Sequence, residues 1–334
     1  MRKNDLWLAN FILRYGVSEV LFDYVEEILL PAFTDKELVR RYGDTEFQFF
    51  DVKLSQIGDE DGIPTLVLHG HFIKDTILRR TQIFRRGQGL IDDEAEIESA
   101  PSAFFALILN NHRLLYFAET PGAPDIGAFA TTAQYFLTHR HQIFVRERRD
   151  SANVTRLGSD RLTMKEMFRR LPAPGLTVIP VAGEGAITEV IKRFRKVQQI
   201  RFKLVEPNDE HDASQAIEAV ERAMRSMRPK RLEILVADSK GLEPGAAENA
   251  ITDASDSQNT EIEVDGIDTE GLHLKVENDE FALRIPVEDP PQEDSKLVHR
   301  LMTIYQNLAA KGKIRNITTP PQVVDKIARL LTRR

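Results

Sequence analysis

Residues 102–119, SAFFALILNNHRLLYFAE, decide the fold that this sequence predicts. Residues 102–110 are apolar and aromatic, Asn110 and Asn111 favour a turn, and residues 113–119 return with the same apolar character. Strands joined by a tight turn pair in antiparallel fashion. The stretch therefore predicts an antiparallel β-hairpin. Together with irregularly mixed strand and helix patterns elsewhere, it favours an α+β architecture.

Upstream of the hairpin, the pattern changes from helical to strand-like. Apolar residues at helical spacing predict short helices over residues 5–41. Strands are predicted over residues 45–55 and 65–73, while residues 76–85 fit either a strand or a short helix. Residues 87–99 predict an acidic, turn-rich connection that leads into the hairpin.

Downstream of the hairpin, Asp125 is placed to cap a helix over residues 126–137. A strand is predicted over residues 143–148. A cluster of Ser, Asn and Gly between residues 150 and 160 then indicates a domain boundary, and a short helix follows over residues 163–171.

The second half of the chain predicts further strands and helices. The predicted strands cover residues 176–180, 200–205, 231–237, 261–264, 272–276 and 281–287, and the predicted helices cover residues 187–195, 213–227, 296–311 and 321–334. Residues 240–259 predict a loop. We therefore expect two α+β domains, residues 1–155 and 160–290, built on mostly antiparallel sheets with flanking helices. Residues 291–334 form a C-terminal helical segment and candidate dimerisation element, centred on residues 296–311.

The composition restricts the class of protein. Of the 334 residues, 42% are hydrophobic and 29% are charged, which is typical of a globular chain. Cysteine is absent, which excludes disulfides and thiolate metal sites and fits a reducing cytoplasm. The apolar run from Leu6 to Leu13 is too short to cross a membrane. We expect a cytoplasmic protein without direct membrane insertion.

Charge is strongly segregated along the chain. The whole sequence has a net charge of −7, but residues 139–203 contain fifteen Lys and Arg against six Asp and Glu, a net charge of +9. Long cationic side chains on a surface suit sequence-independent contact with DNA phosphates. The simpler alternative is two solvated helix faces that neighbouring acidic residues neutralise. The candidate DNA-binding residues are Arg79, Arg80, Arg85, Arg86, Arg140, Arg146, Arg148, Arg149, Lys165, Arg169, Arg170, Lys192, Arg193, Arg195 and Lys196.

Two short patterns offer a metal-dependent nuclease as an alternative. Asp51 and Lys53, with Asp44 and Glu46 upstream, and Asp238 with Lys240 place a carboxylate two residues from a lysine. Such chemistry requires several carboxylates to converge on Mg²⁺, which the spacing does not establish. The sequence therefore predicts no catalytic residue, no metal and no cofactor.

The histidine pairs and one glycine pair have simpler interpretations than ligand binding. His69 and His71 would share a strand face, but no Cys or suitably spaced carboxylate accompanies them. His139 and His141 extend the basic stretch as partly charged residues. Gly183-Glu184-Gly185 lacks the further residues of a phosphate loop and predicts a strand-to-helix turn.

An acidic segment supports a third hypothesis. Residues 205–289 contain eight Lys and Arg against twenty-two Asp and Glu, a net charge of −14. Such a segment could dock a basic partner protein, so an acidic protein-interaction module remains an alternative to a DNA-binding protein.

One region resembles the RexA family of lambda-type phage exclusion proteins. The similarity lies in Asp92-Asp93-Glu94, in residues 100–105 (APSAFF), in Tyr116-Phe117-Ala118 with residues 121–125 (PGAPD), and in Phe136-Leu137. It covers residues 90–137, and its motifs are structural. The resemblance implies a homodimeric, sequence-independent DNA-binding protein of antiviral defence, related in architecture to RdgC. We also expect a second defence-system protein as a partner. This chain departs from the family pattern in its extra N-terminal helical segment and in its more negative net charge.

Overall fold

The structure is a computed structural model that describes residues 3–16, 19–60, 62–157, 160–205, 232–256, 259–314, 319 and 321–332. Within these residues it contains fourteen strands in two antiparallel sheets, with eight α-helices. The predicted α+β class, with C-terminal helices, is confirmed. The predicted helix over residues 213–227 lies outside the described residues.

The larger sheet has ten strands, which come from residues 5–118, 174–180 and 284–286. Its strands are β1 Asp5–Tyr15, β2 Glu19–Val20, β3 Arg40–Tyr42, β4 Thr45–Glu60, β5 Ile63–Arg85, β6 Gly89–Ser99, β7 Ser102–Ile108, β8 Arg113–Ala118, β9 Pro174–Pro180 and β14 Arg284–Pro286. The main order is β14-β1-β8-β7-β5-β4-β3; β2 and β9 also pair with β1, and β6 pairs with β5.

The smaller sheet has four strands in the order β11-β10-β12-β13. They are β10 Phe194–Leu204, β11 Leu232–Ala237, β12 Thr260–Asp268 and β13 His273–Glu277. The α-helices are α1 Leu30–Thr34, α2 Ile126–Asn153, α3 Met164–Arg170, α4 Glu184–Arg193, α5 Pro244–Asp256, α6 Asn278–Phe281, α7 Asp294–Ala310 and α8 Pro321–Thr332. A 3-10 helix, Leu21–Tyr24, and a π-helix, Val25–Leu29, precede α1.

The predicted hairpin is the centre of the larger sheet and separates two hydrophobic cores. Alternate side chains of a strand point to opposite faces. Phe105 of β7 joins the core beneath α2, whereas Phe104 joins the core beneath α7. β7 and β8 pair in register from Ala103 opposite Ala118 to Ile108 opposite Arg113. The hairpin prediction is confirmed, and both of its faces are buried.

The predicted short helices over residues 5–41 are wrong for the first third of that range. Residues 5–15 form β1, which pairs with β8 along one edge and with β9 and β14 along the other. Nearly every side chain of β1 is buried. A strand buried on both faces loses the alternation of polar and apolar residues, so its apolar run resembles a buried helix.

Three other local predictions are also wrong. Residues 143–148 lie in α2, where Phe144 and Val145 face the interior. Residues 89–99 form β6, because β5 pairs with this acidic segment from Arg85 opposite Gly89 to Thr76 opposite Ser99. The predicted loop over residues 240–259 contains α5, whose Ala247 and Ile251 are one helical turn apart and buried. The helices predicted over residues 296–311 and 321–334 are confirmed as α7 and α8.

Two segments beyond residue 160 return to the larger sheet. Strand β9 pairs with residues 9–15 of β1, and β14 pairs with residues 5–7. Helix α7, the candidate dimerisation element, packs its apolar stripe of Leu297, Leu301 and Tyr305 into the core beneath it. Any contact of α7 with a second copy must use its other face. Within the described ranges, no helix has both the length and the apolar composition to cross a membrane.

Candidate nucleic-acid interface

The second half of α2 and the short helix α3 form one fixed unit. Asp125 caps α2, since its Oδ1 accepts a hydrogen bond from Ala128 N at 2.7 Å. Further along α2, Val145 packs against Leu162 and Met167 of the α3 region in a small separate core. The predicted cap and the predicted helix over residues 163–171 are both confirmed.

Hydrogen bonds fix the orientation of α3 relative to α2. Thr163 and Glu166 form a capping box, in which Thr163 N donates to Glu166 Oε2 at 2.7 Å and Glu166 N donates to Thr163 Oγ1 at 3.3 Å. Asn153 of α2 donates to Leu162 O at 2.9 Å and accepts from Leu162 N at 2.8 Å. The cationic side chains on both helices are therefore carried by a rigid support.

His141 ties the end of α3 to α2 and does not belong to the basic surface. It is almost fully buried, and its Nε2 lies 3.0 Å from Leu171 O, to which it donates. Burial lowers the pKa of His141, although the backbone hydrogen bonds oppose this effect. The expectation of a partly charged His141 is wrong, because the side chain is inside the α2–α3 unit.

The cations on this unit differ in how they are paired. Arg146, Lys165, Arg169 and Arg170 are exposed and form no salt bridge with the described residues. The other three predicted arginines of α2 are engaged within the chain. Arg140 Nε donates to Glu27 O at 3.0 Å, Arg148 lies 5.0 Å above the Phe144 ring, and Arg149 Nη2 lies 2.6 Å from Asp150 Oδ1. The free cations thus belong to both helices.

A cleft between α2 and the segment before α3 adds a residue absent from the sequence-based set. The cleft has a volume of about 530 Å³. It is lined by Arg149, Asp150, Asn153, Val154, Arg161 and Leu162. Arg161 is exposed and follows the segment that the sequence indicates as a domain boundary. The one sequence signal for a role in binding was its position in the basic stretch of residues 139–203. We call Arg146, Arg161, Lys165, Arg169 and Arg170 the α2–α3 basic surface.

The predicted group Lys192, Arg193, Arg195 and Lys196 lies elsewhere, where α4 ends and β10 begins. Arg193 forms a salt bridge with Glu280. Phe194 and Phe202, which lie among these charges in sequence, are buried in the core of the smaller sheet and cannot stack on bases. The basic stretch is therefore divided between two structural units.

The remaining predicted arginines lie on a projecting β-ribbon. We call residues 76–99, the far part of β5 with its turn and β6, the β5–β6 arm. Arg79 lies 3.1 Å from both Asp44 and Glu96, and Arg80 forms a salt bridge with Asp93. Arg85 and Arg86 stand at the turn, directly before Gly87. The arm arginines thus share their ribbon with a row of carboxylates.

The nuclease candidates do not converge in the described part of the chain. Asp51 sits in a β-bulge with φ of 49°, and Lys53 Nζ lies 2.6 Å from its Oδ2, which lowers the pKa of Asp51. Glu46 pairs with Arg41 at 2.8 Å. Asp238 Oδ1 accepts a hydrogen bond from Lys240 N at 2.7 Å, as in a turn. Among the described residues, no three His, Asp or Glu side chains are grouped to hold a metal ion.

His71 connects β5 to the start of α7 through two carboxylates. Its Nδ1 lies 3.0 Å from Glu119 Oε2, and its Nε2 lies 3.0 Å from Asp294 Oδ2. Partial burial acts to lower the pKa of His71, but the hydrogen bonds and charges of the two carboxylates outweigh it and raise the pKa to about 9. His71 is therefore charged at neutral pH and donates from both nitrogens, which leaves neither for a metal. Its neighbour His69 is buried beside Ser55 Oγ at 2.9 Å.

We expect this arrangement to make stability depend on pH under mildly alkaline conditions. The pKa of His71 is about 9 in the folded protein against 6.5 ordinarily, so its contribution is complete below pH 6.5 and is lost as pH rises through 9. Solvent screening of this partly exposed group limits the loss to about 2 kcal/mol of unfolding free energy. Urea denaturation at several pH values measures the loss, and His71→Asn should show a smaller one. An equal decline in both proteins would contradict the assignment.

Gly183-Glu184-Gly185 lies where the chain passes from β9 to α4, as the sequence predicts: Gly183 is the N-cap, and Glu184 and Gly185 begin the helix. This segment borders a cavity of about 660 Å³ between α4, the segment around β14 and the end of α7. Both signs of charge line it, including Arg193, Glu280 and Lys311. The mixed lining does not select a ligand.

Comparison with known proteins identifies one family. Residues 129–306 match a family described as a domain of unknown function, DUF4747. The match begins at Phe129 in α2 and ends in α7, so it includes the α2–α3 basic surface and the smaller sheet. No match was found among curated proteins. The resemblance to the RexA family is not tested by these comparisons and stays a prediction.

Proposed function

The chain belongs to the DUF4747 family, and we propose that it is a sequence-independent DNA-binding protein whose α2–α3 basic surface contacts the phosphates of duplex DNA. We further propose that it acts in the cytoplasm as a homodimeric clamp in phage defence or superinfection exclusion, together with a second defence-system protein. The resemblance of residues 90–137 to the RexA family supports this biological setting.

The observation that carries the proposal is the excess of exposed cations on a rigid support. Residues 140–170 contain nine Lys and Arg against four Asp and Glu. Salt bridges engage Arg140 with Glu147, Arg148 with Glu27 and Arg149 with Asp150. Five cations on the surface remain available to a polyanion.

The spacing of these cations is unfavourable for folding, because like charges on neighbouring positions repel each other. Lys165 and Arg169 are four residues apart on α3, where like charges repel each other by a few tenths of a kcal/mol. Arg169 and Arg170 also interact favourably with the carboxyl end of α3 and with the charge of Glu166, three and four residues earlier on the same helix, which offsets part of this repulsion. Arg146 and Arg161 have no such role at a helix end. A bound polyanion would compensate the repulsion between Lys165 and Arg169.

The residue types favour phosphate contact over base recognition. The surface consists of flexible Arg and Lys side chains on two helices that are packed against each other and on the segment before α3. Phosphate contacts position a protein on DNA without reading its sequence. We therefore expect similar affinity for duplexes of unrelated sequence.

The two alternatives receive less support. A metal-dependent nuclease would need carboxylates that converge, and the described residues provide no such group. The acidic interaction module rests on residues 205–289, of which residues 206–231 and 257–258 lie outside the described residues.

Fluorescence anisotropy with two unrelated duplexes of about 30 base pairs at low salt tests the proposal. We expect both duplexes to bind with affinities within about threefold of each other, since phosphates are the same in both. Single-stranded DNA and RNA of the same length serve as comparisons. No binding to any duplex, or binding to one sequence alone, would overturn the proposal. Plasmid incubated with Mg²⁺ or Mn²⁺ should remain intact, and cleavage would favour the nuclease.

A further inference from the structure

The connection between α2 and α3 exposes two aliphatic side chains. Leu157 is 83% exposed and Val154 is 79% exposed, which are the highest values for large apolar side chains in the described part of the chain. Neither side chain joins the small core between α2 and α3. A single exposed apolar side chain is ordinary on a protein surface, so the position of these two decides what they can contact.

Helices α2 and α3 are the two arms of a helical hairpin. At the open end of the hairpin, His141 of α2 donates to Leu171 O, after α3, at 3.0 Å. At the closed end, the side chain of Asn153 forms two hydrogen bonds with the backbone of Leu162, which precedes α3. The arms therefore run antiparallel, and residues 154–161 join them at an end that we call the hairpin tip.

Backbone hydrogen bonds hold the described part of the hairpin tip. Val154 N donates to Ser151 O at 3.4 Å, directly after the last residue of α2. Asp160 N donates to Leu157 O at 3.2 Å, as in a turn. The fold thus fixes the backbone that carries both apolar side chains, so a partner meets them with a small loss of conformational entropy.

Cations stand on both arms beside the hairpin tip. Arg149 of α2 and Arg161 of the segment before α3 line the same cleft as Val154. Arg146 of α2 and Lys165 of α3 are exposed and lie further from the tip. The apolar side chains of the tip are therefore bordered by cations on two sides.

The carboxylates near the hairpin tip do not cancel this charge. Residues 146–165 contain six Lys and Arg against three Asp and Glu, a net charge of +3. Asp150 also lines the cleft, but it pairs with Arg149 at 2.6 Å. Asp160 is the one carboxylate of the tip itself. An apolar tip between cations fits a polyanion that has apolar surface between its charges, and duplex DNA has stacked bases between two rows of phosphates.

We propose that Leu157 enters the minor groove of duplex DNA as an apolar wedge, with Val154 beside it, while cations on the two arms contact the phosphates that border the groove. Apolar side chains inserted in this way separate neighbouring base pairs and bend the duplex. A wedge reads no hydrogen-bonding edge of a base, so it agrees with similar affinities for unrelated duplexes. This inference deepens the proposed function and rests on it.

The dimensions of the hairpin fit a groove better than a flat anionic surface. Arg146 lies seven residues before the end of α2, which is ~10 Å along the helix. The minor groove is ~7.5 Å deep, so the long side chain of Arg146 can reach a phosphate at its rim when the tip is at its floor. A flat lipid surface would meet the tip alone and leave Arg146 about one Debye length away, ~10 Å at 0.1 M salt.

Energy transfer between dyes at the two ends of a duplex of ~20 base pairs measures bending by the full chain. Wild type at saturation should bring the two ends closer, because apolar wedges kink DNA by ~20–90°. Val154→Ser/Leu157→Ser should remove most of this change and lower the affinity ~10-fold. Its salt slope should stay within ~0.5 of the wild-type slope, because no cation is lost.

A variant with the same change in composition is the control. Leu235→Ser/Val236→Ser also removes one Leu and one Val, which are 55% and 43% exposed on β11 of the smaller sheet. It should bend the duplex as wild type does and bind it with an affinity within ~2-fold of wild type. Equal losses of bending and affinity in the two double variants would overturn the inference.

Failure of the wedge and failure of DNA binding are separate results. Wild-type binding without bending, or bending that Val154→Ser/Leu157→Ser retains, overturns the wedge and leaves the proposed function standing. A wild type that binds no duplex overturns both. Arg169→Glu/Arg170→Glu should show a smaller salt slope but bend the duplex at saturation, because it keeps the tip. If phosphatidylglycerol vesicles bind wild type but not Val154→Ser/Leu157→Ser, and both bend DNA equally, the tip is a membrane contact instead.

Discussion

Replacing two arginines at the end of α3, as Arg169→Glu/Arg170→Glu, should reduce the affinity for duplex DNA about 60-fold at ~0.1 M salt. Each phosphate contact contributes about −0.9 to the slope of log affinity against log salt, because binding releases counterions. At ~0.1 M salt, one contact therefore raises the affinity about 8-fold relative to 1 M salt. Two contacts multiply to about 60-fold, and the new negative charges add repulsion. Both side chains are exposed, so the fold should persist.

A control with the same change in charge separates surface contact from net charge. Arg300→Glu/Lys311→Glu alters two exposed cations on and just after α7, away from the α2–α3 basic surface. Its affinity should remain within about threefold of wild type, because only long-range electrostatics change. Equal losses in the two variants would show that net charge, rather than this surface, governs binding.

Replacing Phe129 by Ala should lower the free energy of unfolding by about 3–5 kcal/mol, the usual range for a buried Phe. Phe129 is fully buried and is the aromatic residue by which α2 contacts the centre of the sheet. Its ring centroid lies 5.4 Å from those of Phe105 and Tyr116 and 5.6 Å from that of Phe72. The substitution leaves a cavity between α2 and the hairpin that these rings cannot fill without moving.

Urea denaturation measures this loss, and the same helix supplies the control. Tyr135 is about half exposed on α2, so Tyr135→Ala should cost under about 1 kcal/mol. A similar small cost for Phe129→Ala would mean that α2 is not held to the sheet by this cluster. The rigid support of the basic surface would then be in doubt.

The sequence predicted local elements best where two signals agreed. The hairpin had both apolar strands and a turn, and α2 had both a capping Asp125 and an apolar helical face. Where the local signal was ambiguous, contacts with distant segments determined whether the residues form a strand or a helix. Residues 5–15 form a strand because β8 pairs with them along one edge and β9 along the other, and Phe144 lies in a helix that packs it against Tyr24. These contacts with distant segments cannot be predicted from the local sequence pattern.

The sequence predicted which types of residue form the candidate site, but not which of them lie together in the folded chain. The sequence grouped Lys165 and Arg193 in one basic stretch, while the fold assigns them to different units. It also could not show that Arg79 and Glu96 are cross-strand partners, because the register of β5 with β6 depends on a bulge. Which cations remain free follows from these pairings, and they form only in the folded chain.

The most direct test of DNA binding through the α2–α3 basic surface is the salt dependence of affinity for wild type and for Arg169→Glu/Arg170→Glu. We expect wild-type log affinity to fall with log salt at a slope of about −4 to −5, since five cations contact phosphates. The variant should show a slope smaller in magnitude by about 2. Slopes that are the same in both proteins, or a wild-type slope near zero, would contradict the account.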